Sequence, residues 1–332
     1  MAGRGSDMRK CCAIGDFLSE ANKQKMRAAA EECGFEMSFF DSSEEAAGKI
    51  ADMEVAYCDD GELLKEMPHI KWCHSVSAGV GHFIKSGAFD SGEVMLTNSS
   101  GSYGMVISEH IIMVTLMLMR RMPDYLRIAA ERGWTRDLRI RSVKGSVIAI
   151  AGTGNIGQNT AERFKALGAK KVIGFSRSGR PRESFDEVFR MDDFEDVVSG
   201  RRGNDPIDVL VLCVPGTPES EGLLSAERIA ALPQKAFVIN VGRGALIDQD
   251  ALIDALNEGR LAGAALDVMY PEPLPKDHPL WTAKNCIITP HISGDMGLPE
   301  TVDNTVNIFC DNLKRYARGG ELTHLIDIKA GY

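Results

Sequence analysis

Short apolar runs alternate with amphipathic stretches from one end of this chain to the other. In the first hundred residues, positions 8–15, 35–40, 55–58, 71–76 and 94–98 are apolar and of strand length. Such runs mark strands buried on both faces of a parallel sheet. Between them, 16–33 carries apolar residues at helical spacing and stops at Gly34, and 41–52 reads as a second helix. Strand and helix in alternation predict a doubly wound α/β unit.

The alternation resumes at 147–151 and continues through 172–175, 208–214, 236–241, 263–268 and 286–289. Between the two sets, 104–122 reads as one long helix, apolar on nearly every side from 108 to 121. That pattern predicts burial all round, in a core or partly against a second copy of the chain. Met113, Met117, Met119 and Met122 suit an adaptable packing surface. After Pro290 come a helix at 299–317 and a short tail, too little to stand alone and so expected to pack back on the first unit.

The join between 147–151 and the following helix changes the picture. It reads Gly152-Thr153-Gly154-Asn155-Ile156-Gly157, between a buried strand and a helix and within a β-α-β unit closed by 172–175. In that context the three glycines are a dinucleotide fingerprint. Gly152 allows the tight turn, Gly154 lets backbone approach a pyrophosphate, and Gly157 lets the helix lie on the strand. The phosphates then sit at the helix N-terminus. The predicted fold is α/β, with two doubly wound parallel-sheet domains. A Rossmann dinucleotide-binding domain at 102–291 is inserted in a flavodoxin-like substrate domain made of 1–101 and 292–332, with crossings near 98–103 and 291–297.

Composition narrows the function classes. There are 38 Lys and Arg against 47 Asp and Glu, a net charge of −9, which argues against a general nucleic-acid or anionic-membrane binder. The longest apolar stretch, 111–119, falls short of the ~20 residues a membrane span needs. The first seven residues contain no apolar leader. The eight cysteines form no C-x-x-C pair, and most lie in apolar runs. No metal site is expected, and a reducing, cytoplasmic setting fits best.

Candidate chemistry lies just after the strands, at the sheet edge where open α/β folds bind ligands. In the first unit, Ser75-Val76-Ser77-Ala78-Gly79-Val80-Gly81 is a loop of small residues. Its backbone N–H groups suit a carboxylate, although an ordinary glycine turn has the same composition. In the second unit, Asn240-Val241-Gly242-Arg243-Gly244, Asp267 to Glu272, and Thr289-Pro290-His291 bring an arginine, a carboxylate and a histidine to one edge. Arg243 can grip a substrate carboxylate in a fork and polarise the neighbouring carbonyl. His291 can give the carbonyl oxygen its proton, and Glu272, in contact with it, favours the imidazolium. Singly, His291 reads as structural, Glu272 as a surface acid and Asp267 as a strand-end cap. Joint placement selects the chemistry of a 2-oxo acid.

At these residues the chain resembles the D-isomer-specific 2-hydroxyacid dehydrogenases. The resemblance runs over nearly the whole length and carries the glycine loop, Val238-Ile239-Asn240-Val241-Gly242-Arg243-Gly244, Thr217-Pro218-Glu219-Ser220, Glu272-Pro273-Leu274 and Thr289-Pro290-His291 in order. It implies that Arg243, Glu272 and His291 are the catalytic set. It implies further that Gly152, Gly154, Asn155, Ile156, Gly157, Val214, Pro215, Val241, Gly242, Asp267 and Gly294 contact the cofactor, with Asp267 at the nicotinamide end. Val76, Ala78 and Gly79 join Arg243 in holding substrate. A homodimer through the 104–122 helix is the usual assembly.

One departure bears on the cofactor. Where the family's second cofactor-domain strand ends in an acid that binds the adenosine 2′-hydroxyl, this chain has Ser176, then Arg177, Ser178, Arg180 and Arg182. Arginines and hydroxyls attract a 2′-phosphate that a carboxylate repels, so NADP(H) is expected over a possible NAD(H). The nearest likeness is to NADP-dependent glyoxylate/hydroxypyruvate reductases. D-Lactate or bulkier D-2-hydroxy acids remain open, because Val76, Tyr103, Tyr270 and Trp281 are the candidate pocket-sizing residues and sequence does not place them. A dinucleotide-sensing, corepressor-like interaction protein is the reading from another class.

Overall fold

A computed structural model describes residues 8–328. Residues 1–7, where the sequence has no apolar leader, and 329–332 lie outside the described residues. The chain divides into two compact units, one running to Ser102 and resuming at Asp295, the other Tyr103–Gly294.

The first unit opens with β1 (Arg9–Ile14), α1 (Glu20–Glu32), β2 (Phe35–Phe40), α2 (Ser43–Ala46), β3 (Val55–Cys58), β4 (Trp72–Ser75), α3 (Gly81–Ser86) and β5 (Met95–Thr97). The sheet order is β2-β1-β3-β4-β5, with every pair parallel, which is the flavodoxin-like order. Two helices differ from expectation. The first starts at Glu20 rather than near 16, because Ser19 closes a capping box with Asn22. The helix expected at 41–52 is a single turn. Ala47 leaves the helical region and Gly48 turns left-handed at φ 72°, where a side chain is strained.

The second unit comprises α4 (Gly104–Met119), α5 (Met122–Ala130), β6 (Val147–Ala151), α6 (Asn155–Ala166), β7 (Lys171–Ser176), β8 (Glu187–Arg190), α7 (Phe194–Val198), β9 (Val209–Leu212), α8 (Ala226–Ala231), β10 (Phe237–Asn240), α9 (Gln249–Asn257), β11 (Gly263–Leu266) and β12 (Cys286–Ile288). Its seven parallel strands run β12-β11-β10-β9-β6-β7-β8, a doubly wound order that reverses between β6 and β9. The strand β8 went unseen in sequence. It is an edge strand with charged ends, tied to β7 by a Lys171–Glu187 ion pair of 2.9 Å, and so lacks an apolar run.

The helix expected at 104–122 is two helices. Arg121 is left-handed at φ 59°, and Pro123 lies in the first turn of α5, where its fixed φ and missing N–H are tolerated. Within a single chain α4 buries one face. Ile107, Ile111, Val114 and Leu118 face the core, whereas Met113 is 47% exposed. Gly104 starts α4 because a Cβ there would lie 1.9 Å from Asn155 Oδ1 of α6.

The last helix, α10 (Pro299–Ala317), completes the first unit. Val302, Val306, Phe309 and Leu313 join a core with Met26, Val55, Tyr57 and Trp72. Phe309 stacks on Trp72 at 5.4 Å, and Tyr57 hydrogen-bonds Thr305 at 2.7 Å. Each such buried large apolar side chain stabilises by about 1.5–3 kcal/mol.

Candidate active site

In the second unit, the loops after β10, β11 and β12 meet at the carboxyl edge of the sheet. The turn after β10 is set by Asn240, which is 1% exposed. Its Oδ1 accepts from Gly242 N at 3.0 Å and its Nδ2 donates to Arg243 O at 2.9 Å. That local turn projects Arg243, whose Nη1 donates to Gly242 O at 2.6 Å. Glycines clear the space around it: a Cβ on Gly216 would touch Arg243 Cγ at 2.7 Å, and one on Gly244 would meet the Met269 backbone at 2.1 Å. Burial lowers the Arg243 pKa and the Glu272 carboxylate acts against that. A guanidinium starts so high that it stays a cation.

Glu272 is held at both oxygens. Oε1 accepts from Met269 N at 2.9 Å, and Oε2 lies 2.9 Å from His291 Nδ1. A carboxylate only accepts, so Nδ1 carries the hydrogen and Nε2 is the ring nitrogen left to exchange a proton. Tyr270, two residues before Glu272, is pinned through its backbone: its N–H donates to Gln249 Oε1 at 2.9 Å and its C=O accepts from Gln249 Nε2 at 2.5 Å.

His291 sits in the left-handed region at φ 56°, an unusual place for a residue with a Cβ. Asp267, 2% exposed, fixes that turn. Its Oδ1 accepts from Thr289 Oγ1 at 2.6 Å and Ile292 N at 2.9 Å, and its Oδ2 accepts from Ser293 N at 2.9 Å. Burial works to raise its pKa, but the bonds from Ser293, Thr289 and Ile292 outweigh it and hold the carboxyl below its ordinary value. Thr289 gives its one proton to Asp267, so His110 Nε2, 3.4 Å from Thr289 Oγ1, is the donor in that contact. Both Asp267 oxygens thus serve the turn that carries His291, a positioning task that stands beside the nicotinamide contact the resemblance implies.

The glycine loop has the shape of a phosphate cradle. Gly152 is left-handed at φ 112°, and a Cβ on it would meet Cys213 O at 2.9 Å. On Gly157 a Cβ would lie 1.9 Å from Gly152 O, so helix and turn touch there. Packing asks for no glycine at 154, where a Cβ would meet nothing within 4 Å, and α6 begins there with no side-chain cap. Open space before uncapped N–H groups, with Asn155 and Ile156 opening the helix, fits a pyrophosphate. Gly242 packs on Val214 O, 2.7 Å from its virtual Cβ, and Gly294 on Ile107 and Tyr103 at 3.2–3.3 Å. Val241 is buried, and Pro215 O accepts from Ser220 Oγ at 2.7 Å. At the end of β7, Ser176 Oγ accepts from Gly179 N and Ser178 Oγ from Arg180 N, and Arg177 lies close enough to Glu219 to hold its carboxyl down, after backbone and Thr217 hydrogen bonds.

The first unit presents the loop 75–79 separately. Asn98 Nδ2 donates to Ala78 O at 2.6 Å and Ser99 N to Ser77 O at 3.1 Å. In a trans peptide the N–H of the next residue points opposite to the C=O. The Ala78 and Gly79 N–H groups therefore face away from 98–99, and Val76 behind them is 5% exposed.

The profile of the D-isomer specific 2-hydroxyacid dehydrogenase NAD binding domain matches residues 112–293, more than half of the chain. The chain belongs to that family. A family protein from Aeromonas salmonicida is 32% identical with a TM-score of 0.83, covering 97% of this chain and 100% of its own. A glyoxylate/hydroxypyruvate reductase A of Photorhabdus laumondii is 28% identical over 86% of this dehydrogenase-family chain and 88% of its own. An NADPH-dependent glyoxylate/hydroxypyruvate reductase of Sinorhizobium meliloti, solved with NADP and sulfate, is 26% identical with a TM-score of 0.79 over 98% and 100%.

Three positioning residues of this dehydrogenase-family site were not assigned roles from sequence. Asn240 and Thr289 stood in quoted motifs, and a strand-terminal Asn before Val-Gly is a recognisable side-chain turn. Gln249 lies 21 residues from Tyr270, and no spacing signal links them.

Proposed function

We propose that this protein reduces a small 2-oxo acid of the glyoxylate/hydroxypyruvate type to a D-2-hydroxy acid, with NADPH preferred over NADH. The observation that carries the reading is the Glu272–His291 hydrogen bond of 2.9 Å at the same sheet edge as Arg243. The bound dinucleotide supplies the hydride, with its pyrophosphate at Gly152, Gly154 and Gly157. Arg243 binds the substrate carboxylate and polarises the carbonyl. His291 donates a proton from Nε2 to the carbonyl oxygen, and Glu272 stabilises the imidazolium that precedes transfer. The loop 75–79, with its Ala78 and Gly79 amides, is the carboxylate seat of the first unit, so the unit running to Ser102 is the substrate unit and 103–294 the dinucleotide unit.

Ser176 where an acid would exclude a 2′-phosphate, with Arg177 beside it, supports NADPH. The Sinorhizobium relative described above is solved with NADP. The decisive experiment is a panel of glyoxylate, hydroxypyruvate, pyruvate and phenylpyruvate run with each cofactor. The expected result is turnover of the two smallest polar acids and a higher kcat/KM with NADPH, with Ser176→Asp plus Arg177→Ala moving preference toward NADH. A wild-type preference for NADH overturns the cofactor assignment.

The exposed apolar side chains Met113, Met122, Leu126, Trp134 and Ile140, all in or just after α4 and α5, support a homodimer. A hollow of about 390 Å³ lies between α4 and the end of α6, lined by Ile112, Met113, Ala166 and Leu167. Analytical ultracentrifugation at micromolar concentration checks it. Among the described residues no helix is long and apolar enough to cross a membrane, and the described cysteines are unpaired, which supports a reducing cytoplasm.

A further inference from the structure

We propose that Asp59 and His82 together set how tightly the loop 75–79 holds a substrate carboxylate. Asp59 fixes the loop's geometry, and protonated His82 cancels the charge that Asp59 brings with it. The inference rests on the reading of that loop as the substrate's carboxylate seat.

Asp59 is the first residue after β3, and Cys58 is in register with Ser75 at the end of β4. It therefore lies beside the loop at the carboxyl edge of the first sheet. Its Oδ1 accepts from Ser75 Oγ at 2.8 Å and its Oδ2 from Ser77 Oγ at 2.6 Å. Ser77 N in turn donates to Ser75 Oγ at 3.2 Å. One carboxylate thus holds both hydroxyls that flank Val76, on the opposite flank from the Asn98–Ser99 contacts that orient the Ser77 and Ala78 carbonyls. The loop is clamped from two sides, and its Ala78 and Gly79 amides are held ready for an anion without reorganisation.

The clamp carries an electrostatic penalty. A carboxylate beside an anion-binding loop repels the anion that the loop is built to hold, and partial exposure weakens this without removing it. His82, at the second position of α3, brings Nε2 to 3.4 Å from Asp59 Oδ1. Both side chains keep solvent contact, at 43% and 35% exposure, so His82 exchanges protons freely. Its pKa is raised, first by the hydrogen bond to Asp59, with burial opposing and Asp60 adding to the rise. Asp60 is itself engaged by the Glu62 and Leu63 N–H groups through Oδ1, and Lys85 lies one turn further along α3.

The consequence is a pH-dependent affinity with an unchanged chemical step. While His82 is protonated, the Asp59–His82 pair is neutral and the loop binds its anion best. As pH rises past the raised His82 pKa, above the ordinary value of 6.5, the loop faces an unbalanced charge. KM for the 2-oxo acid then climbs while kcat and the KM for NADPH do not follow.

The test compares wild type, His82→Gln and His82→Lys at pH 6 to 9, with folding checked by circular dichroism. Using the ratio to wild type at each pH cancels the pH dependence of the chemical step, which all three share. His82→Gln is expected to raise KM at pH 6 by about three- to tenfold and to flatten its further rise. His82→Lys is expected to keep KM low to pH 9. In parallel, calorimetric titration of the NADP⁺-loaded proteins with oxamate, a carboxylate analogue of the substrate, should show the same order of affinities. A wild-type KM profile and oxamate affinity in His82→Gln overturn the proposal, as does an absence of oxamate binding to wild type. Oxamate binding that follows His82 without turnover of any 2-oxo acid refutes the reductase reading alone.

Discussion

The two sheets end in edges built on opposite principles. At the edge of the second unit, the charged side chains that position the chemistry are locked by backbone donors. Asp267 takes Ile292 and Ser293 N–H groups in a nearly solvent-free site, and Glu272 takes the Met269 N–H. At the edge of the first unit, side-chain hydroxyls do the holding: Ser75 and Ser77 on Asp59, and Ser99 on His74. Backbone donors keep their protons over the whole pH range, whereas the first edge depends on the protonation of two histidines. The turns that aim the proton-transfer edge are thereby held at every pH, whereas the loop edge responds to it.

The largest expected effect comes from breaking the second edge at its reactive groups. His291→Ala removes the only ring aimed by Glu272, and kcat should fall by about 10²–10⁴-fold. Arg243→Lys keeps the charge and loses the two-pronged fork, so it should raise KM for the 2-oxo acid and lower kcat together. Steady-state kinetics measure both, and NADPH fluorescence titration should show cofactor binding within about twofold of wild type. Near-normal kcat in His291→Ala would remove the assigned proton donor.

Breaking the anchor beneath those groups should cost less in rate and more in stability. In Asp267→Asn, one oxygen becomes an NH₂ group that faces either Thr289 Oγ1 and the Ile292 N–H or the Ser293 N–H. A donor then meets a donor in a nearly solvent-free site, which costs about 1–3 kcal/mol per unsatisfied group. The His291 turn, held at φ 56°, should relax. A fall in kcat of about tenfold to a hundredfold is expected, with KM for NADPH little changed. If Asp267 chiefly touched the nicotinamide, KM for NADPH would rise instead, so the KM-against-kcat split decides between the two tasks.

The contrast between the edges also explains what could be read from the chain. Buried parallel strands are continuous apolar runs, so both sheets were legible, as were the glycines whose Cβ positions are filled by backbone. Arg243 and His291 stood out because each comes within three residues of a strand end, and Glu272 because it lies in the loop after β11 that Asp267 opens. The edge strand β8 was not legible, since exposed Glu187 and Arg190 at its ends leave only two apolar residues between them. Nor was the break of α4 before Pro123, where a long apolar run hid a left-handed Arg121. Long-range polar clamps left no periodicity at all: Gln249 on Tyr270, Asp59 on Ser75 and Ser77, and Asp267 on Ser293 join residues whose types are common and whose spacings carry no rule.

The smallest expected effect is an acid sensitivity confined to the first edge. His74 is fully buried, and its hydrogen-bond chain fixes its tautomer. Ser99 Oγ gives its one proton to Ser75 O at 2.9 Å and so accepts from His74 Nε2 at 3.2 Å. Nδ1 is then the bare nitrogen and accepts from Thr97 Oγ1 at 2.7 Å, while Thr97 Oγ1 accepts from Trp72 Nε1 at 2.9 Å. Burial, with His324 nearby, pushes the His74 pKa down to about 3. Between pH 6.5 and 3 the unfolded chain therefore binds a proton that the folded chain refuses, and stability must fall as pH falls through that window. From pH 7 to pH 5 the loss from this group is about 2 kcal/mol. Urea unfolding followed by tryptophan fluorescence isolates it, because Trp72 is fully buried while Trp134 and Trp281 are 89% and 52% exposed. His74→Gln retains an acceptor toward Thr97 and a donor toward Ser99 without a titratable ring, and should cut the pH 7 to 5 loss seen in the Trp72 transition by about 2 kcal/mol relative to wild type. If the variant keeps the wild-type slope, the acid sensitivity lies elsewhere, and the first edge is no more responsive to pH than the second.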